Sequence, residues 1–127
     1  PNPFLIRILQ EYGCGTDCSS MTELMLSEAL GFSGSQIMFS SNDTPVEEFE
    51  YANKLGAIIN LDDITHIDVL EETLGYIPET ISCRFNPGGI FKISNDIMDN
   101  PGDSKYGMTR TQISEAFKIL KEKGVKK

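Results

Sequence analysis

Apolar residues recur at two spacings along the chain, and the alternation of the two predicts a regular order of elements. Helical spacing, in which apolar residues return every three or four positions, predicts five helices, at residues 3–12, 21–30, 45–55, 64–74 and 110–123. Short segments, three of them apolar runs, lie between them and predict four strands, at residues 15–18, 36–39, 57–61 and 80–83. The chain is therefore predicted to form one helix followed by four strand–helix units.

Capping signals set the predicted helix boundaries. All five helix starts carry them: Asn2-Pro3, Ser20 with Glu23, Thr44-Pro45 with Glu47, Asp62-Asp63, and Thr109 with Gln112. Glycines follow the predicted helix ends at positions 13, 31, 56, 75 and 124. In the last helix, the spacing predicts that four residues face the core: Ile113, Ala116, Phe117 and Leu120.

Strands that alternate with helices through short links predict a parallel sheet with right-handed crossovers. The pattern fits an open doubly wound sheet or part of a (β/α)8 barrel. The first helix is strongly apolar, so we expect it to pack on a sheet, yet no strand precedes it. A further strand would begin at Val125, so the segment looks like a piece of a longer protein.

Composition narrows the class of protein. The 127 residues are 39% apolar and 24% charged, with no apolar run of membrane-spanning length and no signal-peptide pattern. We expect one soluble, cytoplasmic domain. A net charge of −8 argues against nucleic acid as a partner. The basic residues concentrate in residues 108–127, where we expect a solvated helix face.

Cysteine and histidine offer little for a metal centre. Cys14, Cys18 and Cys83 form no CxxC pair and are odd in number, which favours reduced thiols. The one histidine, His66, lies in a helical pattern. We therefore predict no metal site and no histidine-based catalytic triad.

Polar residues follow the predicted strands, where parallel α/β folds bind ligands. Asp17 and Arg84 are the charged candidates, and polar side chains accompany them at Ser40, Ser41, Asn42, Asn60, Asp62 and Asn86. Arg84 also opens a long loop rich in Gly, Pro and Asn that ends at Gly107. Asp17 and Arg84 could bind an anion, orient a cofactor, or form a structural ion pair with each other.

Several motifs, in this order and spacing, resemble the N-terminal part of the diaminopimelate decarboxylase family. They are Asn2-Pro3, Gly13-x-Gly15-x-Asp17-x-x-Ser20-x-x-Glu23, Phe39-Ser40, Arg84-x-Asn86-Pro87 and Ser104-Lys105-Tyr106-Gly107. The family consists of fold-type III pyridoxal-phosphate decarboxylases with an alanine-racemase-like barrel followed by a β domain. The resemblance covers essentially the whole chain.

The resemblance implies that residues 1–127 form a partial (β/α)8 TIM barrel of alanine-racemase type, with about four parallel strands and five helices. The first strand, the later barrel strands and the C-terminal β domain would be missing. It implies a pyridoxal 5'-phosphate cofactor and a carboxy-lyase that makes L-lysine from meso-diaminopimelate, in a homodimeric parent protein. The lysine that forms the Schiff base would precede Pro1, so the segment alone would be inactive.

The resemblance also assigns individual residues. It implies that Asp17 and Arg84 line the cofactor pocket and that Lys105 lies at the dimer interface. It implies no catalytic residue and no metal ligand within the segment.

Three alternatives stay open at this point. One is a related ornithine, arginine or carboxynorspermidine decarboxylase, and the second is a non-enzymatic pyridoxal-phosphate-binding barrel protein. The third is a phospho-receiver domain, which has a similar length and strand–helix alternation. Such a domain has paired acids after its first strand, whereas the only such candidate at a strand end here, Asp62-Asp63, falls in mid-chain.

Overall fold

A computed structural model describes residues 2–88 and 106–127. The helices are α1 (Pro3–Glu11), α2 (Met21–Ala29), α3 (Val46–Lys54), α4 (His66–Leu74) and α5 (Arg110–Glu122). The strands are β1 (Thr16–Cys18), β2 (Ile37–Phe39), β3 (Ile58–Leu61) and β4 (Ile81–Cys83), with one 3-10 turn at Gly34–Gln36. In these described segments, no helix is long and apolar enough to cross a membrane.

The four strands form one parallel sheet in the order β1-β2-β3-β4. The register places Cys18 beside Phe39, Phe39 beside Ile59, and Leu61 beside Cys83. Each strand therefore lies next to the one that follows it in sequence. The predicted helix followed by four strand–helix units is confirmed.

Helices cover one face of this sheet. Phe39, Ile59 and Leu61 point to that face and are fully buried. They belong to one core with apolar residues of the helices, including Leu24, Phe49, Ile67 and Leu70. Burial of this apolar area is the main stabilising term of the fold.

The opposite face of the sheet carries polar side chains, because successive residues of a strand alternate between faces. Asp17 lies on β1 and Ser40 directly follows β2, while Asn60 and Ser82 occupy neighbouring positions on β3 and β4. The Ser82 hydroxyl donates a hydrogen bond of 2.8 Å to Asn60 Oδ1. This face therefore presents hydrogen-bonding groups toward the carboxyl ends of the strands.

Helix α1 does not pack on the sheet as predicted. It contains no buried residue, and Phe4 is 78% exposed. Ile6 is the residue of α1 that packs, partly buried, against the core. The prediction fails because β1 is the outer strand of the sheet over residues 2–88 and 106–127, so no further strand lies beneath the helix.

Helix caps follow the predicted signals only in part. Thr109 and Gln112 form the predicted capping box of α5. Ser20 is the N-cap of α2, but its side chain makes no capping bond, and Glu23 accepts from Ser19 instead. The N-cap of α3 is Pro45 and not Thr44, because the helix begins one residue later than predicted.

The last helix covers the sheet beyond β4. Ala116 and Leu120 are buried as predicted, whereas Phe117 is 57% exposed, so its inward assignment is wrong. After α5, the Ile81 N–H donates to the Lys127 carbonyl at 3.0 Å. The chain thus begins to pair beside β4, but no strand is formed at Val125.

Candidate functional site at the carboxyl edge of the sheet

The backbone around Arg84 is fixed from two sides. Its N–H donates to the Leu61 carbonyl of β3 at 3.0 Å, which extends the pairing of β4 by one residue. Its carbonyl accepts from the Met108 N–H at 2.7 Å, and the Asn86 N–H donates to the Met108 carbonyl at 2.8 Å. The segment before α5 therefore pairs with the residues that follow β4, and Arg84 lies between them.

The Arg84 guanidinium makes two contacts through Nη1. Nη1 lies 3.0 Å from Asp62 Oδ1 and donates a hydrogen bond of 2.8 Å to Asn42 Oδ1. The Asp62 contact is an ion pair whose geometry is not that of a hydrogen bond, because Oδ1 accepts none from the described residues. The Asp62 side chain is 6% exposed, while that of Arg84 is 34% exposed. The carboxylate is therefore buried, and the guanidinium reaches solvent.

Gly107 lies against this ion pair. Its N–H donates to Asp62 Oδ2 at 3.4 Å, so each carboxylate oxygen of Asp62 has a neighbour. Gly107 has φ +86°, and a Cβ at this position would lie 3.1 Å from both Arg84 Cγ and the Asn86 nitrogen. A side chain would be strained by its backbone angle and crowded by these atoms. The glycine that ends the long loop is therefore required by its contact with Arg84.

Asn86 joins the two ends of the same loop. Its Nδ2 donates to the Tyr106 carbonyl at 3.0 Å, and its Oδ1 accepts from the Gly88 N–H at 2.9 Å. The second bond is an Asx turn, which starts the loop after β4. The arginine and asparagine of the Arg84-x-Asn86-Pro87 motif therefore have separate roles, one at the site and one in the loop.

Asp17 lies at the same edge of the sheet but apart from Arg84. It is exposed, and Oδ1 accepts a hydrogen bond of 2.6 Å from the Ser40 hydroxyl. Because β1 and β4 are the outer strands of the sheet, two strands separate Asp17 from Arg84. The possible ion pair between Asp17 and Arg84 is therefore wrong. In the part of the chain that the structure describes, the partner of Arg84 is Asp62.

The register of β3 and β4 explains the pairing of Asp62 with Arg84. The register pairs Asn60 with Ser82, so two residues further along, Asp62 lies opposite Arg84 and on the same face. The sequence places Asp62 among the polar residues at this edge but does not pair it with Arg84. The link follows only when β3 and β4 are known to be neighbours.

Asp63 points away from this pair and stabilises α4. Its Oδ1 accepts from the Thr65 N–H at 2.9 Å and from the Thr65 hydroxyl at 2.7 Å. These hydrogen bonds hold the pKa of the Asp63 carboxyl below its usual value. The two consecutive aspartates therefore differ in role, one held against Arg84 and one at a helix start.

The remaining candidates from the sequence have different outcomes. The His66 ring packs edge-on against Phe49 with 6.2 Å between ring centres. Residues 2–88 and 106–127 contain no group of three or more side chains that could hold a metal ion. Burial raises the pKa of the Cys83 thiol, which keeps it protonated. Lys105 lies outside the described residues.

The edge thus combines one guanidinium with two carboxylates, those of Asp17 and Asp62. A guanidinium carries five N–H donors, so contacts through one nitrogen do not exhaust its capacity. A partly exposed arginine held in place is suited to binding an oxygen of a ligand, and an exposed carboxylate is suited to a cationic nitrogen. The geometry supports a polar, charged ligand at this edge.

Comparison with known proteins identifies relatives over nearly the full chain. Residues 1–126 match the family model described as pyridoxal-dependent decarboxylase, pyridoxal binding domain. Protein TabA of Pseudomonas amygdali pv. tabaci is 32% identical over the whole chain, which covers 29% of that protein. Diaminopimelate decarboxylase of Thermoplasma acidophilum is 27% identical over 98% of this chain and 30% of its own length.

A solved structure matches the fold as well. Diaminopimelate decarboxylase from Helicobacter pylori, crystallised with L-lysine, superposes with a TM-score of 0.85 and 25% identity over 96% of this chain and 32% of that one. The four parallel strands and five helices therefore correspond to the N-terminal part of the decarboxylase barrel. The chain spans about a third or less of the length of these relatives. It belongs to the pyridoxal-dependent decarboxylase family, and the described fold is that of the family's pyridoxal-binding domain.

Proposed function

We propose that the protein is a pyridoxal-phosphate-dependent decarboxylase that converts meso-diaminopimelate to L-lysine and carbon dioxide. The family match and the decarboxylase relatives support the reaction class. The observation that carries the proposal is Arg84, a partly exposed guanidinium held at the ligand-binding edge of a parallel sheet. Residues 1–127 would contribute only part of the active barrel.

The residues at this edge fit a pyridoxal-type cofactor. Pyridoxal phosphate offers oxygen acceptors and, when bound to an amine, a cationic nitrogen. Arg84 presents N–H donors toward solvent, and Asp17 presents an exposed carboxylate beside Ser40. The bound cofactor supplies an electron sink for the pair left when carbon dioxide departs. The donor set thus matches both kinds of group on the cofactor.

The contribution of the chain to such a reaction is orientation and electrostatics. Arg84 would donate hydrogen bonds to a cofactor or substrate oxygen and keep it in one direction. Asp17 would stabilise positive charge near the reacting amine, since an opposite charge a few ångströms away favours the charged form. Lys105 would contact a second subunit, as the resemblance to ornithine-type decarboxylases implies.

The experiment is to purify the protein in its full encoded length and titrate it with pyridoxal phosphate. We expect a saturable visible absorption band and release of carbon dioxide from meso-diaminopimelate. L-lysine, L-ornithine, L-arginine and carboxynorspermidine are compared in parallel, because related decarboxylases share the fold. The Arg84→Ala variant should lose most activity, whereas Arg7→Ala, which removes an exposed arginine of α1, should not.

Different results contradict different parts of the proposal. Release from ornithine, arginine or carboxynorspermidine would move the protein to another decarboxylase class. Cofactor binding without carbon dioxide release from any substrate would favour a non-enzymatic pyridoxal-phosphate protein. No cofactor binding at all would contradict the proposed function.

A further inference from the structure

We propose that Asp62 is a positioning residue, which orients the Arg84 guanidinium toward the bound cofactor or substrate and offsets its charge. This inference rests on the proposed function, because it concerns the same site. It adds a residue that contacts no ligand itself and acts only through Arg84. Asn42, which contacts Arg84, and Gly107, which contacts Asp62, would assist.

Burial supports the assignment. A carboxylate that is 6% exposed has lost most of its hydration, which is unfavourable unless a cation and hydrogen bonds replace the water. Arg84 Nη1 at 3.0 Å and the Gly107 N–H at 3.4 Å are the groups that do so. A buried ion pair of this kind contributes little net stability compared with apolar packing. Its presence at a ligand-binding edge is better explained by orientation.

Geometry supports it as well. Asp62 and Asn42 approach the same guanidinium nitrogen from two strand ends, those of β3 and β2. Two fixed contacts at Nη1 restrict rotation of the planar group, and Gly107 lies close to Arg84 Cγ. The Arg84 side chain is therefore constrained at its Cγ atom and at its guanidinium group. A preorganised donor binds with less loss of side-chain entropy than a mobile one.

The charge of Asp62 should also change the electrostatics of the site. Without Asp62, Arg84 would present a full positive charge to the site. With Asp62 beside it, the pair is neutral overall and acts mainly as a directed hydrogen-bond donor. The pH at which the visible absorption band of bound pyridoxal phosphate titrates should therefore shift when Asp62 loses its charge, even if the fold is intact.

The first test needs no cofactor. The sequence has three arginines, Arg7, Arg84 and Arg110, so their guanidinium resonances in a ¹⁵N–¹H spectrum are few. Arg84 should show slowly exchanging Nη signals, because both contacts hold that group, whereas the exposed Arg7 and Arg110 should not. The signals should weaken in Asp62→Asn, which removes the ion pair, and in Asn42→Ala, which removes the hydrogen bond. They should persist in the matched control Asp63→Asn, which removes the neighbouring charge.

The second test measures coupling in the protein with cofactor bound. Asp62→Asn should weaken pyridoxal phosphate binding roughly tenfold, and Asp63→Asn by less than about twofold. In an Arg84→Gln background, Asp62→Asn should have almost no further effect, because a positioning residue acts only through its partner. A purely structural role would instead give additive losses of pyridoxal phosphate binding. It would also leave the pH at which the absorption band titrates unchanged.

The outcomes separate this inference from the function on which it rests. Unchanged Arg84 signals in Asp62→Asn, or additive effects in the double variant, overturn the positioning role whatever the protein binds. No pyridoxal phosphate binding by the unsubstituted protein contradicts the proposed function and the ligand named here, while the arginine signals still decide the role of Asp62. If Asp62→Asn does not fold, Asp62→Glu decides, because it keeps the carboxylate charge and moves it by one methylene group. Unchanged Arg84 signals in Asp62→Glu would also overturn the positioning role.

Discussion

Two aspartates at the same edge of the sheet have opposite environments. Asp17 on β1 is exposed and accepts one side-chain hydrogen bond, from Ser40. Asp62, just after β3, is buried between Arg84 and Gly107. The difference follows from their strands. The described sheet flanks β3 on both sides, by β2 and β4, and flanks β1 on one side only.

The position of a strand in the sheet thus determines whether a carboxylate at this edge is accessible or buried. Asp62, after the inner strand β3, contacts the Arg84 side chain and the Gly107 N–H, so its charge is balanced within the protein. A residue on an outer strand keeps its polar atoms accessible. On this view Asp17 is available to a ligand, whereas Asp62 acts through Arg84.

Removal of Arg84 should affect stability as well as function. In Arg84→Ala the buried Asp62 carboxylate loses its cation, so we expect the free energy of unfolding to fall by about 3 kcal/mol. Urea unfolding at neutral pH measures it. Adding Asp62→Asn to the same chain should recover a large part of the loss, because the amide carries no charge. A double variant no more stable than Arg84→Ala would show that the carboxylate is not the cause.

A side chain at position 107 should destabilise the protein more than a side chain at another glycine with a similar positive φ. Gly107→Ala should destabilise the protein by about 2 kcal/mol, from its positive φ and from crowding against Arg84 Cγ and the Asn86 nitrogen. Gly124→Ala is the matched control, since Gly124 has φ +93° but nothing within 4 Å of an added Cβ. It should cost about 1 kcal/mol. Equal losses in thermal or urea unfolding would mean that the contact with Arg84 is unimportant.

The contribution of Asp63 to the free energy of unfolding should depend on pH. Its folded pKa is lowered by the hydrogen bonds from Thr65, so its stabilisation is fully present above the ordinary value of 3.8 and is lost as the pH falls through the lowered value. Asp63→Ala should therefore cost about 1 kcal/mol near neutral pH, as for a lost helix cap, and nothing in strong acid. Urea unfolding between pH 2 and about 7 checks it. A loss independent of pH would exclude the carboxylate as its source.

Local pattern predicted the elements better than the contacts between them. Apolar spacing identified the five α-helices and three of the four strands in residues 2–88 and 106–127, while β1 was placed only by its position between two predicted helices. The position of Arg84 after β4 follows from that order. The pairing of Arg84 with Asp62 could not be predicted, because spacing along the chain does not state which strand lies beside which. Periodicity also turned Phe117 inward, although the buried stripe of α5 is narrower and passes through Ala116 and Leu120. Capping signals located helix starts, but neither Ser20 nor Thr44 makes the predicted side-chain capping bond.

The smallest effect on stability should come from Asp17. Asp17→Ala removes an exposed carboxylate with one hydrogen bond, so the free energy of unfolding should change by less than about 0.5 kcal/mol. Binding of pyridoxal phosphate should nevertheless weaken, if Asp17 faces the ligand as proposed. Ser40→Ala is the control, since it removes the hydrogen-bond partner but keeps the charge. A large loss of stability in Asp17→Ala would place Asp17 in the same structural class as Asp62. Unchanged binding would leave Arg84 as the charged ligand contact of this edge.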